Sequence, residues 1–143
     1  MLSRFLTPLT DPVYATLRII IGLLFAFHGL QKVFGVLSEF QASAGSQLWI
    51  GGVIEIVTGL LIACGFLTVW AAFLASGTMA VAYTQFHWKF GFDSAFFPAV
   101  NKGELALVYA LVFLFIACRG AGPASLDSMR ASKLVKGSAP QQP

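Results

Sequence analysis

From Ile56 to Trp88 the chain carries no Asp, Glu, Lys or Arg. Drawn as one helix, this run would be about 50 Å long at ~1.5 Å per residue, whereas a bilayer's hydrocarbon core is only about 30 Å thick. The run must therefore fold back on itself. Gly65-Phe66-Leu67-Thr68 is the natural break, with Gly65 as the C-terminal cap of one helix and Thr68 as the N-cap of the next. This predicts a tight antiparallel hairpin, its helices running from about Leu48 to Gly65 and from about Val69 to Phe86.

The rest of the composition agrees with a lipid setting. The chain has 143 residues, 57% of them hydrophobic and 10% charged, with a mean hydropathy of +0.80. Soluble domains carry about 25% charged residues. The expected fold class is all-α, an integral membrane four-helix bundle with the lipid membrane as its first partner. Nucleic acid is excluded as a partner, because the net charge is only +3 and the aromatics are not interleaved with Lys or Arg. The first apolar segment is read as a retained helix, not a cleaved signal. Ala42-Ser43-Ala44 has the small residues of a cleavage site, but Lys32 and Glu39 separate it from the apolar core at 19–27.

Residues 1–11 form a lead, 12–120 the helical domain and 121–143 a tail expected to be disordered at its end. Asp11 and Pro12 read as N-cap and first residue of a helix running to about Phe34. Arg18, Gly22, Phe25, Gly29 and Lys32 share its inward face. Gly35 to Gln47 is a loop that could hold a short interfacial helix. In the second helix Gly51, Glu55 and Gly59 recur every four residues and stack on one face. Ala72, Ser76, Met79, Tyr83 and Phe86 form a packing stripe on the third. Asn101-Lys102-Gly103-Glu104 reads as a capping box before a fourth helix from about Lys102 to Cys118. Arg4, Arg119, Arg130, Lys133 and Lys136 lie toward the two ends of the chain, which favours cytoplasmic termini in a multi-pass membrane protein.

With this topology, helical depths can be compared. Glu55 falls at the level of His28 and a little below Lys32, far from Arg18, at ~1.5 Å per residue. His28 or Lys32 is the expected partner of Glu55, with Gln31 adding a hydrogen bond, while Arg18 snorkels toward the cytoplasmic interface. His28, Gln31, Lys32, Glu55, Tyr83, His87, Asn101 and Glu104 then gather in the outer half of the bundle. Two readings stand side by side. One is a polar pocket open to the outer face; the other is a buried ion pair that locks two helices together, with Glu104 only capping. A metal set from His28, His87, Glu55 and Glu104 lacks the H-x-x-x-H or E-x-x-H spacing that would support it. Cys64 lies on the opposite face of its helix from Glu55, and Cys118 shares a stripe with Glu104. If both acids face inward the two sulfurs point apart, and there is no C-x-x-C. No haem, flavin or P-loop signature and no catalytic triad is present, so no cofactor is encoded.

Four stretches together resemble one family. Gly22-Leu23-Leu24-Phe25-Ala26-Phe27-His28-Gly29-Leu30-Gln31-Lys32 resembles the first-helix motif of the DoxX family. Gly52-Val53-Ile54-Glu55 with Gly59-Leu60-Leu61 and Gly65-Phe66-Leu67-Thr68 resembles its second. Phe96-Phe97-Pro98-Ala99-Val100-Asn101-Lys102-Gly103-Glu104 and Gly122-Pro123-Ala124-Ser125-Leu126-Asp127 resemble its third and fourth. The resemblance spans about Arg18 to Asp127. It departs at Val69, where relatives often carry Arg, and at Ala124, where they often carry a basic or aromatic residue.

The resemblance implies a four-helix inner-membrane protein, some of whose relatives are subunits of thiosulfate:quinone oxidoreductase. It carries over His28, Gln31, Lys32, Glu55, Asn101 and Glu104 as motif positions. The expectation is a membrane subunit of a redox system, binding a quinone or a small sulfur compound in the outer-half pocket. Glu55, His28 and Lys32 would do the chemistry, with Gln31, Tyr83, Asn101 and Glu104 holding the substrate. A partner subunit would carry the electron-transfer cofactor, and a homo-oligomer is compatible with the same reading. The rival is a non-catalytic membrane scaffold or small-solute carrier.

Overall fold

A computed structural model describes residues 2–137, and within them the protein is helical, with no strand. In chain order the helices are α1 (Leu2–Leu6), α2 (Thr10–Phe34), α3 (Gln47–Cys64), α4 (Thr68–Ala82), α5 (Pro98–Asn101), α6 (Glu104–Arg119) and α7 (Leu126–Gly137). A 3-10 turn at Thr7–Leu9 joins α1 to α2. A π-helical segment, Tyr83–Trp88, continues α4. Two helical stretches, Leu2–Phe34 and Gln47–Cys64, are long and apolar enough to cross a membrane. α4 and α6, at 15 and 16 residues, are shorter.

α2, α3, α4 and α6 pack side by side as two close pairs. In the α2/α3 pair the backbones nearly touch. A methyl group added at Gly22 would lie 2.7 Å from the Gly59 carbonyl oxygen, and one at Gly59 would lie 2.6 Å from the Gly22 carbonyl oxygen. Small residues permit this approach, which replaces side-chain interdigitation by backbone contact. Gly52 takes the matching place opposite Gly29. Gly51, expected in that stripe, faces open space instead, because the buried face of α3 follows Gly52, Glu55, Thr58, Gly59 and Ile62. In the α4/α6 pair, α4 buries Ala71, Ala72, Ala75 and Ser76 and α6 buries Ala106 and Ala110, and the Ser76 hydroxyl donates to the Ala110 carbonyl at 2.8 Å. Larger side chains fill the space between the pairs: Phe25, Ile62, Tyr109, Phe113 and Ile116.

The helix ends correct several expectations. Asp11 is no N-cap, since the helical path runs on from Leu2; it pairs with Arg119 at 2.7 Å instead. Gly35 ends α2 and Gly65 ends α3, both left-handed, at φ 66° and 67°. No helix forms in 35–46; Ser46 N-caps α3 through the Trp49 amide. Thr68 does not cap α4. Leu67 holds that position at φ 49°, and the acceptor arrives from the tail: Asp127 takes the Leu67 and Thr68 amides at 3.1 and 3.0 Å and the Thr68 hydroxyl at 3.0 Å. Residues 126–137 of the tail are therefore helical, and the tail end expected to be disordered (138–143) lies outside the described residues.

Arg18 does not snorkel. It is fully buried and donates to the Ile62 and Ala63 carbonyls at 2.5 and 2.8 Å and to the Ala124 carbonyl at 2.7 Å. The last turn of a helix leaves its carbonyls without partners, and a guanidinium fork answers several at once. Ser125, also buried, sits where a side chain on Gly65 would stand. Arg18, Ser125 and Asp127 thus fasten the tail to the α3–α4 turn.

Candidate functional site

At the opposite end of the α2/α3 pair, Lys32 and Glu55 form an ion pair. The inward faces of two helices bring them together, and of the two partners expected for Glu55, His28 and Lys32, it is Lys32 that forms the pair. The two partners are unequal. Glu55 is 1% exposed, whereas the Lys32 side chain is 29% exposed. Glu55 Oε1 takes the Lys32 ammonium, and Oε2 has no hydrogen-bond partner among the described residues. The hydrogen bond expected from Gln31 is therefore not formed. A buried polar atom left unmatched costs free energy, so its persistence needs an explanation.

Two hollows meet at this pair. The larger, about 840 Å³, runs between α3 and α4; the polar side chains along it include Lys32, Glu55 and His87, and its remaining wall is mainly apolar. The smaller, about 190 Å³, lies toward α6 and is lined by His28, Lys32, Glu55, His87, Lys102 and Tyr109 with Phe25 and Met79. His28 rests on the Tyr109 ring edge to face, with centroids 5.9 Å apart. Both hollows share Lys32, Glu55, Met79, Ala82 and His87.

The π-helical segment sets the position of His87. Its wider turn closes with the Lys89 amide bonding the Thr84 carbonyl at 2.8 Å. This breaks the α-helical register expected through Phe86, so Phe86 leaves the packing stripe and is exposed. Such segments recur at functional sites. His87 Nδ1 lies 3.2 Å from the Asn101 carbonyl.

The loop that follows is organised by Asn101, which does not form the expected capping box. Its amide donates to the Ala95 carbonyl at 2.8 Å and, at 3.5 Å, to the Tyr83 hydroxyl, while its Oδ1 accepts the Gly103 amide at 2.7 Å. Gly103 N-caps α6 without a side-chain bond. Tyr83 stacks on Trp88.

The sequence-predicted residues thus divide. Glu55, Lys32, His28 and His87 converge on the hollows. Asn101 and Tyr83 shape the loop beside them, and Gln31 is half-buried on α2. Glu104 is exposed and lies outside both hollows. α6 turns Ala106, Tyr109, Ala110, Phe113 and Ile116 inward, so the stripe of Glu104 and Cys118 faces outward. Cys64 is exposed as well. Tyr109 was missed, although its place in the i, i+3, i+4, i+7 series from Ala106 marks the buried face. Among the described residues no three His, Cys, Asp or Glu side chains stand close enough to hold a metal ion.

The outward faces of the helices are apolar, with Leu23, Leu24, Val57, Leu60, Trp70, Phe73, Leu111 and Phe115 all exposed. An apolar surface this continuous is not that of a water-soluble monomer. Fold and site together define a helical protein of the membrane type, with one polar site at one end of its apolar helices. The DoxX family profile matches residues 13–88, and the chain belongs to that family. An uncharacterized protein of Haemophilus influenzae is 40% identical over 118 residues, covering 80% of this chain and 87% of that protein. No solved structure matches the chain.

Proposed function

We propose that the chain is the membrane subunit of a redox system and that the site beside Lys32 and Glu55 binds the head group of a quinone or a small sulfur compound. One observation carries this reading: a buried carboxylate with one oxygen unmatched stands between two hollows. In that arrangement Lys32 donates to a carbonyl or anionic oxygen of the ligand. Glu55 Oε2 accepts a hydrogen bond, or a proton, from it. His28 and His87 flank the head group, and Tyr83 and Asn101 hold the loop beside it. The electron-transfer group belongs to a partner subunit.

In the same reading all four of α2, α3, α4 and α6 cross the inner membrane. The π-helical segment lengthens α4 toward the ~20 residues a span needs. Arg4, Arg119, Arg130 and Lys133 put the Arg18 end in the cytoplasm and the Glu55 end outside.

The test is affinity purification of the full chain from its native membrane, with extracted small molecules and co-purifying proteins identified by mass spectrometry. A quinone or a sulfur compound and a cofactor-bearing subunit should accompany the native chain. Glu55→Gln should keep its helicity and lose the small molecule. If neither chain retains a ligand or subunit, the redox reading falls. The second reading, a membrane scaffold, draws on the backbone contact of α2 with α3 and on the ion pair that bridges them. It gains if Glu55→Gln loses the fold along with any ligand.

A further inference from the structure

Building on the ligand site proposed above, we infer that the larger hollow is a chain-binding groove. Its ligand is a membrane-dissolved amphiphile, with a compact hydrogen-bonding head at Lys32–Glu55 and an apolar chain running between α3 and α4 toward Trp70. A water-soluble sulfur compound does not occupy this groove.

The groove is asymmetric. Lys32, His87 and Glu55, with its unmatched buried oxygen, stand in one part of the groove, flanked on α3 by Ile50 and Ile54; beyond them α4 carries the groove on past Leu74 and Phe73 to Trp70. A ligand that fits must be equally asymmetric. Ile50, Trp70, Phe73 and Leu74 are exposed large apolar residues, so the groove opens on the same apolar face that lipid covers in the four-span reading. An ion would have to shed its water to pass that rim, whereas a lipid-like molecule slides in from the bilayer. From Ala82 to Trp70 the groove follows α4 for about 18 Å at ~1.5 Å per residue. A chain of that reach is longer than a bare ring. Gly51 and Gly77 line the groove, and a side chain added at either would meet nothing within 4 Å. They leave room that a larger residue would take. The volume, about 840 Å³, is in the range of pockets that enclose a whole small ligand, roughly 300–1,000 Å³.

The probe is a benzoquinone bearing a ten-carbon chain, made in two forms, with a photoreactive diazirine either on the ring or at the chain's end. Each is applied to the full chain in lipid nanodiscs, and labelled peptides are mapped by mass spectrometry. The chain-end probe should label residues 70–74 in preference to exposed positions on α2 and α6. Gly77→Leu should reduce that labelling at least ten-fold, and Ala80→Leu, on the same helix but outside the groove, should not. The ring probe should label near Lys32, and Glu55→Gln should reduce this. Chain-end labelling spread evenly over all exposed helices and indifferent to Gly77→Leu, with ring labelling still dependent on Glu55, would overturn the groove and leave the head-group site. Ring labelling indifferent to Glu55→Gln would overturn both.

Discussion

Two charges are buried against the α2/α3 contact, Arg18 toward one end and Glu55 toward the other, at 0% and 1% exposure. Their surroundings differ. Arg18 spends two of its nitrogens on three backbone carbonyls from α3 and the tail, with Ser125 close by; Nε alone is unpartnered. Its charge closes a helix end and ties down a distant segment. Glu55 meets one lysine, leaves an oxygen free and adjoins space on two sides. Burial alone therefore does not mark a functional charge. Arg18 spends its fork on backbone carbonyls with one nitrogen left over, which serves the fold, whereas the unmatched Glu55 acceptor adjoins two hollows and supports the proposed site.

The largest expected effect lies at the Arg18 end. Arg18→Met should lose about 3 kcal/mol or more, since each hydrogen bond to a charged group contributes roughly 1.5–3 kcal/mol. Thermal unfolding in detergent, followed by circular dichroism, measures it. A near-native transition would dissolve the contrast between the two ends.

Next comes the contact that carries both charges. Gly59→Ala places a methyl group 2.6 Å from the Ala26 amide nitrogen, so α2 and α3 must separate. Overpacking of this kind costs about 1–3 kcal/mol. The same melting experiment should show it, whereas Gly77→Ala, facing open space, should melt at or above the native temperature.

Asp127→Ala should cost about 1 kcal/mol, the usual value of a lost cap, and should free the tail to protease cleavage after Arg130. The carboxyl also has a pH signature. Burial raises its pKa, but the bonds from Thr68 and Leu67 and the nearby Arg130 outweigh this and hold it below the ordinary value. The stabilisation is therefore complete above the unfolded aspartate value of about 3.9. It fades as pH falls below that through the lower value of the folded state. Cleavage after Arg130 should rise over that acid range in the native chain and stay flat in Asp127→Ala.

The smallest effect on stability should come from Glu55→Gln, about 1 kcal/mol or less, because the near-isosteric amide removes the desolvation cost of a buried charge and leaves no charge buried without a partner. Glutamine keeps an acceptor for Lys32, removes a buried charge, and leaves a lysine that water can reach. A loss as large as that of Arg18→Met would make Glu55 a lock and sink the distinction drawn between the ends.

Much of this was legible in the sequence. The uncharged run demanded a break, and Gly65 supplies it with a left-handed turn. Helical depth narrowed the partner of Glu55 to His28 or Lys32, and the structure pairs it with Lys32. Other features resisted because their partners are remote. Nothing near Arg18 announces the carbonyls of Ile62 and Ala124. Thr68 is a good N-cap by local rules, yet Asp127, far along the chain, takes the exposed amides first. Asn101 and Glu104 have capping-box spacing, but the loop uses Asn101 to close on Ala95 and Gly103. The π-helical turn at Tyr83–Trp88 has no composition of its own; it moves Phe86 out of the expected stripe and carries the helical path on through His87.

By itself the sequence determined the apolar helices, their approximate limits and the need to pair a lone carboxylate, because propensity, periodicity and desolvation act within a few residues or on one side chain. The tertiary structure alone decided which carbonyls hold Arg18, which face of α6 turns inward and whether the space beside Glu55 is filled. Those outcomes depend on distances between helices, and a volume between helices belongs to no single segment.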